Sequence, residues 1–293
     1  MQHRVRLWIA GSRPKTLPAA VVPVAVGFCL VVARHDSALT LPANSFLALV
    51  VSLALQVGVN YANDYSDGVK GTDARRVGPL RLVGSGAMPA PAVKRAAIVS
   101  FLVAAVAGLA IAAMTSWWLI AVGVVSIVAA WTYTGGPSPY GYAGLGELFV
   151  FVFFGVVATL GTTFAVSESI RVVDVIASCA VGFLAVALLI INNLRDIPTD
   201  SQSGKRTLAV RLGDRGTRTL FVLVVVAACV GVCVVAVTYR WAIVGVVGFV
   251  LSRDPIRRIR ARAVGAELIP VLGRTARLQL MVGMLLAIGV VAS

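Results

Sequence analysis

The chain has 293 residues, of which 59% are apolar and only 13% charged, whereas about 25% are charged in ordinary soluble domains. Its mean hydropathy is +0.92. A soluble chain of this length needs far more polar surface to cover its core, so the composition excludes a soluble enzyme or a disordered protein. The formal net charge of +14 would suggest nucleic-acid binding in a soluble protein. In a membrane protein, the same excess can instead mark the loops on one side of the bilayer.

The apolar runs predict nine membrane spans, because a crossing helix needs about 20 mainly apolar residues. The predicted spans are approximately 17–33, 44–62, 96–114, 117–133, 147–166, 172–192, 219–238, 241–252 and 276–292. The eighth is the shortest. We therefore expect an all-α, polytopic helical bundle that forms one domain over residues 1–293, with cap loops on the cytoplasmic side.

The basic residues predict the orientation of these spans. Of the 26 Lys and Arg residues, 23 lie in the N-terminal tail and in the links after the second, sixth and eighth spans. The opposite links contain only Arg34, Arg171 and Arg240. Because basic loops stay in the cytoplasm, we expect a plasma-membrane protein with a cytoplasmic N-terminus and an external C-terminus. Nucleic acid is not needed to explain the charge.

Acidic residues are scarce, and several of them follow the second predicted span. Gln56, Asn60, Asn63 or Asp64, and Asp67 recur at intervals that place them on one face of a helix. This polar stripe runs from within the membrane to its cytoplasmic edge, where glycines are expected to end the helix. Asp73 follows in the same segment.

A second acidic cluster follows the sixth predicted span. Asn192 and Asp196 are four residues apart, and Asp200 follows after four more. We expect Pro198 and Gly204 to break the helix here. The spacing matches that of Asn63, Asp67 and Gly71 in the first cluster, which suggests two related halves of the chain.

The two clusters predict a metal-bridged diphosphate site. Carboxylate and amide oxygens suit Mg²⁺, which proteins hold with one or two carboxylates and substrate phosphates. Lys205 and Arg206 follow the second cluster, and Arg75, Arg76 and Arg81 follow the first, so donors for the free phosphate oxygens are also present. The alternative is that the acids are solvated loop charges neutralised by neighbouring arginines. For Asp64 and Asp73, both interpretations stay open.

Three stretches resemble a known family. They are Asn60–Asp73 continuing to Arg81, Tyr133–Tyr142 continuing to Glu147, and Asn192–Arg206 continuing to Gly213. The paired aspartate motifs resemble those of the UbiA superfamily of intramembrane prenyltransferases. The Gly-Pro-Leu-Arg and Tyr-Thr-Gly-Gly-Pro stretches are most similar to the branch that acts on 1,4-dihydroxy-2-naphthoate in menaquinone synthesis.

The resemblance implies a reaction and a set of site residues. A polyprenyl group would pass from its diphosphate to the naphthoate, with loss of CO₂, to give a demethylmenaquinone. Two Mg²⁺ ions on the diphosphate would be held by Asn63, Asp67, Asp196 and Asp200, and Asp73 would replace the third aspartate that the wider superfamily has where Gly71 stands here. Asp67, Asp196 and Lys205 would be catalytic. The substrate-binding residues would be Asn60, Arg81, Tyr133, Tyr140, Tyr142, Lys205 and Arg206.

Two alternatives remain. The aspartate motifs do not distinguish the naphthoate from another acceptor, such as 4-hydroxybenzoate. A transporter is disfavoured, because the acids gather at one face of the membrane and transporters place ionisable groups near the midplane. The basic run Arg253–Arg262 is interpreted as a topology determinant that contacts anionic lipids.

Overall fold

The computed structural model describes residues 2–34, 41–72, 78 and 80–293, with Leu41 and Pro42 described by their backbone alone. All regular structure within these residues is helical. The helices are α1 (Gln2–Ser12), α2 (Pro18–Val32), α3 (Leu41–Val69), α4 (Ala90–Met114), α5 (Trp118–Thr132), α6 (Gly146–Ser167), α7 (Val172–Gln202), α8 (Leu208–Thr238), α9 (240–252, three short helical segments), α10 (Arg253–Arg260) and α11 (Leu268–Val291).

The helix lengths confirm a multi-pass membrane protein but not the count of nine spans. Among the described residues, six helices are long and apolar enough to cross a membrane, namely α3, α4, α6, α7, α8 and α11. A seventh span results if the segment Gln2–Thr16 and α2 are taken together, although they are bent by 53°. The other two predicted spans correspond to α5, with 15 residues, and to the short segments of α9.

Two helix pairs pack most extensively, α3 with α4 and α7 with α8. The largest core cluster joins α2, α7, α8 and α11, and Ile190, Phe221 and Leu278 are fully buried within it. Burial of these apolar faces against one another leaves a cavity on the other side of α7.

The helices α6 and α7 approach each other closely at two glycines. A Cβ atom on Gly155 would lie only 2.3 Å from the Cα of Gly182, so only glycine fits at this crossing. Gly155 lies in a π-helical segment, Phe151–Val157. Such a segment inserts a wider turn that redirects the side chains after it. Here Phe153 and Phe154 face the cavity.

The expectation that Pro198 breaks its helix is wrong. The helix α7 continues through Pro198 to Gln202, and the chain turns at Gly204, where φ is +77°. A proline removes one backbone N–H and crowds the preceding turn. With only four further residues in α7, that disturbance is confined to the end of the helix. Asp196 and Asp200 consequently share one continuous helix.

An ion pair closes the end of the bundle opposite the acidic clusters. Arg34, after α2, contacts Asp174 in the first turn of α7, and neither side chain is exposed. The Arg34 guanidinium also donates to the hydroxyls of Ser167 and Ser169 at the end of α6. Removing one partner of such a buried pair leaves an uncompensated charge. This contact ties α2, α6 and α7 together below the cavity.

Candidate active site

A cavity of about 510 Å³ lies between α2–α7, and its two ends differ in chemistry. One end is lined by the acidic clusters and by cations, and the rest is lined by apolar side chains of α3, α5 and α6. The predicted site residues that line the cavity are Asn60, Asn63, Asp67, Arg81, Tyr133, Tyr140, Tyr142, Asp196, Asp200 and Lys205. The structure therefore brings both sequence motifs to one polar mouth above an apolar path.

Asp67 is the centre of this mouth. Its Oδ1 accepts hydrogen bonds from the Tyr142 hydroxyl at 2.5 Å and from Lys205 Nζ at 3.0 Å. Arg81 approaches the other carboxylate oxygen at 3.9 Å. These groups come from α3, the loop before α4, the α5–α6 link and the α7–α8 link. Asp67 thus joins α3 to the cap segments that carry Arg81, Tyr142 and Lys205.

Tyr142 has a lysine near its ring from two different segments. Lys205 Nζ lies 4.6 Å from the ring centroid and Lys70 Nζ lies 5.0 Å from it, both within the range of a cation–π contact. Lys70 also donates to the carbonyls of Thr134 and Gly136 at 2.8 and 3.2 Å. Partial desolvation lowers the pKa of Lys70, with Asp67 opposing the shift and Lys205 adding to it.

The asparagines of the first motif have different partners. Asn63 Oδ1 accepts a hydrogen bond from the Thr134 hydroxyl at 2.8 Å. The amide nitrogen of Asn60 donates to the carbonyl of Ser12 at 2.9 Å and to the Thr16 hydroxyl at 3.1 Å. Asn60 therefore holds the turn between α1 and α2 against α3, while Asn63 faces the α5–α6 link.

The second motif is organised by an arginine. Arg195 donates from Nε and Nη2 to the two carboxylate oxygens of Asp196, both at 2.8 Å. The same Nη2 atom reaches the side-chain oxygen of Asn192 at 2.8 Å. A bidentate contact of this kind fixes the orientation of the carboxylate. Arg195 thereby aligns two oxygen-bearing side chains at the cavity.

Asp64 belongs to the fold and not to the cavity. It is fully buried, and its two oxygens accept hydrogen bonds from the backbone N–H groups of Leu82 and Val83 at 2.8 and 2.9 Å. It is absent from the cavity wall. Asp64 is thus neither a solvated loop charge nor a group that lines the cavity, and it instead anchors the cap loop that carries Arg81.

Two tyrosines line the cavity near the start of α6, which carries a buried glutamate. Tyr133 and Tyr140 are in edge-to-face contact, and the Tyr140 hydroxyl donates to the carbonyl of Ala129 at 2.9 Å. Burial raises the pKa of the Tyr140 phenol, so this group stays protonated. Glu147 is buried and accepts a hydrogen bond from Asn193 at 2.9 Å.

Arg206 departs from the expected arrangement. It is exposed and does not line the cavity; its backbone N–H instead donates to the carbonyl of Tyr142 at 2.9 Å. Residue 206 is thus placed to fix the α5–α6 link. Asp73, Arg75 and Arg76 lie outside the described residues.

Several residues of the site were not predicted from the sequence. Lys70 is three residues after Asp67 on the same helix face, and Thr134 lies inside the Tyr-Thr-Gly-Gly stretch, so their spacing could have identified them. Arg13 and Lys15 also line the cavity, although they come from the turn between α1 and α2. Nothing in their local sequence separates them from residues that determine topology.

The donor set suits a hard divalent cation that is completed by a substrate. Within the described part of the chain, no three His, Cys, Asp or Glu side chains gather closely enough to hold a metal ion by themselves. Asp67 comes from α3, whereas Asp196 and Asp200 come from α7. Oxygen donors presented from two helices into one cavity fit Mg²⁺ ions that take further ligands from substrate phosphates.

These features define a class of protein: a polytopic helical membrane protein with a charged mouth for a head group above a long apolar path. The chain belongs to the UbiA prenyltransferase family, which it matches over residues 20–262.

Individual relatives agree with this assignment. The chain is 47% identical to the 1,4-dihydroxy-2-naphthoate octaprenyltransferase of Mycobacterium leprae over 92% of this chain and 90% of the relative. The enzyme of the same name from Mycobacterium tuberculosis is also 47% identical, over 92% of this chain and 91% of the relative. A solved UbiA homolog from Archaeoglobus fulgidus bound to GPP and Mg²⁺ superposes with a TM-score of 0.68 at 13% identity, covering 98% of this chain and 99% of that chain. The structural likeness confirms the fold.

Proposed function

We propose that this protein transfers a polyprenyl group from polyprenyl diphosphate to 1,4-dihydroxy-2-naphthoate in menaquinone biosynthesis. CO₂ and diphosphate are released, and the product is a demethylmenaquinone in its reduced form. The observation that carries the proposal is the single cavity that joins a cationic and carboxylate mouth to an apolar path. The relatives at 47% identity that are named for this reaction support the naphthoate as acceptor.

Mg²⁺ is the proposed cofactor, as two ions bridging to the diphosphate. Asn63, Asp67, Asp196 and Asp200 would hold the ions, with Asp73 as a further candidate ligand. Bound metal supplies positive charge that stabilises the departing diphosphate. The oxygen donors that α3 and α7 present to one cavity support this assignment, as does the solved homolog with GPP and Mg²⁺.

The cations of the mouth bind the diphosphate. Lys205 and Arg81 already approach Asp67, so they lie where free oxygens of a diphosphate beside that carboxylate would accept hydrogen bonds. As the allylic C–O bond breaks, its electron pair goes to the diphosphate, and these cations stabilise the charge that develops there. Asp67 and Asp196 contribute by fixing the leaving group in position.

The apolar part of the cavity holds the polyprenyl chain and excludes water. The side chains of α3, α5 and α6 line it, including Leu55, Val122 and Phe153. Water exclusion protects the electron-deficient allylic carbon until a ring carbon of the naphthoate attacks it. Tyr133 and Tyr140 are proposed to form the wall beside that ring. Release of CO₂ leaves its bonding electron pair on the ring.

We further propose nine membrane crossings with the cavity mouth on the cytoplasmic side of the plasma membrane. The short helices α5 and α9 would be the fourth and eighth crossings. The concentration of basic residues in the N-terminal tail and in the cap links supports this orientation.

An acceptor assay tests the proposed reaction. Purified protein in lipid nanodiscs is given octaprenyl diphosphate with either 1,4-dihydroxy-2-naphthoate or 4-hydroxybenzoate, with Mg²⁺ or with EDTA, and the products are identified by mass spectrometry. We expect a prenylated, decarboxylated naphthoate with Mg²⁺ only. Preferential prenylation of 4-hydroxybenzoate would place the protein in another branch of the family. Turnover of Asp196→Ala at saturating Mg²⁺ would contradict the metal assignment.

A further inference from the structure

A second groove, of about 500 Å³, lies outside the active-site cavity, between the start of α2 and the first half of α11. Its walls include Pro18, Ile269 and Leu280, and three cations line it, namely Lys15, Arg274 and Arg277. Lys15 belongs to the turn that also borders the active-site cavity. The turn therefore separates two spaces of different composition, since the groove is lined by no carboxylate.

The three cations are only partly neutralised. Arg274 Nη1 contacts Asp254 at 2.6 Å, and the same carboxylate also contacts Arg257 and Arg258. Lys15 and Arg277 are exposed and form no ion pair with any described residue. One carboxylate shared by three arginines leaves a strong positive excess at the groove. An anion placed there would relieve this repulsion.

The groove lies at the predicted cytoplasmic surface of the membrane. Lys15 lies immediately before α2, and Arg277 immediately before the apolar half of α11, so both mark the cytoplasmic ends of neighbouring predicted spans. Pro18 and Leu280 provide an apolar wall on the membrane side of these charges. A ligand that suits this arrangement has an anionic head at the level of Lys15 and Arg277 and a hydrocarbon chain below it.

We propose that this groove binds the phosphate head group of an anionic bilayer phospholipid, with an acyl chain against its apolar wall. Two basic side chains from α11 and one from the turn before α2 donate to the phosphate oxygens. Each basic residue near an anionic membrane surface contributes favourably to such binding. The occupied groove would brace the turn that carries Arg13 and Lys15 at the edge of the active-site cavity.

Thermal unfolding of the delipidated protein in a neutral detergent tests this proposal. Phosphatidylglycerol at about 100 times its Kd is expected to raise Tm by several degrees, whereas phosphatidylcholine leaves Tm unchanged. The double variant K15Q/R277Q is expected to lose most of that shift. The matched variant R4Q/R6Q, which removes the same charge from exposed positions on α1 outside the groove, keeps it. The single variant R277Q serves if K15Q/R277Q lowers the starting Tm.

Four results would overturn the proposal: an equal shift with phosphatidylcholine, an equal loss in R4Q/R6Q, a full shift retained by both groove variants, or a full shift with inorganic phosphate alone. The equal loss would indicate a diffuse surface field, and the shift with phosphate would indicate a free-anion site. A shift by geranyl diphosphate that K15Q/R277Q abolishes, without one by phosphatidylglycerol, would assign the groove to the reaction substrate. The readout needs no prenyl transfer, so it is independent of the proposed activity.

Discussion

Asp67 shows how one carboxylate can organise segments that are far apart in the chain. Its partners Tyr142 and Lys205 are 75 and 138 positions away. The two charge-assisted contacts to Oδ1 hold the cap links over the cavity. Residues that orient such a carboxylate are expected to affect the rate more than they affect binding.

Replacing Tyr142 by phenylalanine tests this expectation. Tyr142→Phe removes the hydroxyl that donates to Asp67 but keeps the ring beside Lys70 and Lys205. We expect kcat to fall about 10- to 100-fold, the usual range for a partner that orients a metal ligand, with a smaller change in KM for the prenyl diphosphate. Steady-state kinetics at saturating Mg²⁺ provide the measurement.

Tyr61→Phe is the matched control for that variant. It also removes a phenolic hydroxyl with a buried partner, the carbonyl of Trp8 at 2.8 Å, but Tyr61 does not line the cavity. The control is expected to lose stability and to keep its kcat. Equal kcat values for Tyr142→Phe and the unmodified protein would show that the Tyr142 hydroxyl is not needed to orient Asp67.

Substitutions of the two aspartates of the first motif should have different effects, one on stability and the other on activity. Asp64→Asn loses one of the two backbone hydrogen bonds that anchor residues 82 and 83, and we expect about 1–3 kcal/mol of destabilisation. Asp67→Asn should fold normally and lose activity. Thermal unfolding together with the prenyl-transfer assay measures both effects. A fully stable but inactive Asp64→Asn would show instead that Asp64 acts in the reaction.

At the residue scale, the sequence predicts the motifs but not which of their residues line the cavity and which anchor the fold. The intervals of four and three residues place Asn60, Asp64 and Asp67 on one polar stripe, because helical periodicity is a local property. Whether a side chain on that stripe meets a cavity or a backbone loop depends on where residues 80–83 fold. That contact lies 18 positions away from Asp64, so no local pattern contains it.

The crossing of α6 and α7 is the most sensitive point at the scale of elements. Gly155→Ala would push a methyl group against the backbone of Gly182, which must then move. Overpacking of this kind costs about 1–3 kcal/mol, and we expect a clear fall in Tm. Because the crossing sets the position of Phe153 and Phe154, the prenyl-transfer rate should fall with it.

Gly161→Ala is the control within the same helix. A Cβ on Gly161 would meet nothing within 4 Å. Since alanine favours a helix over glycine by about 1 kcal/mol, this variant should be as stable as the unmodified protein or slightly more so. Similar Tm values for the two variants would mean that α6 can shift away from α7 without penalty.

Element limits are the part of the fold that the sequence predicts least well. The apolar run at 172–192 suggests a helix of one membrane thickness, yet α7 extends ten residues further and carries Asp196 and Asp200 with it. The polar continuation is stabilised by contacts such as the one between Arg195 and Asp196, which hydropathy does not register. Conversely, α5 is apolar but short, because the Gly135-Gly136-Pro137 turn follows it closely, and α9 is apolar but divided into three short segments.

For the whole molecule, the depth of the cavity determines which chains it accepts. Gly123 lines the apolar part, and a Cβ there would meet nothing within 4 Å, so Gly123→Phe should fold and obstruct the path. We expect kcat/KM for octaprenyl diphosphate to fall at least about tenfold, with geranyl diphosphate less affected. Val128→Phe, on the exposed face of the same helix, should change neither value. Equal losses for both substrates would argue against a chain-length path.

Orientation in the membrane is the second prediction at this scale. In a cysteine-free background, single cysteines at Arg4 and at Ser293 should differ in their access to a membrane-impermeant maleimide added to intact cells. With nine crossings, Ser293→Cys reacts from outside, and Arg4→Cys reacts only after permeabilisation. Labelling of both positions from the same side would require an even number of crossings.

The chemical difference between the charged and the apolar end of the cavity also determines how a product would be released. A lipid-soluble chain gains little by moving from the bilayer into an apolar cavity, since hydrocarbon tails are as apolar as the side chains that line it. Retention of the substrate would therefore depend on the ionic head at Asp67, Lys205 and Arg81. Once the carbon–oxygen bond is broken, the prenylated product no longer carries that head. Turnover would thus convert a tethered amphiphile into a neutral lipid that partitions back into the membrane without a separate ejection step.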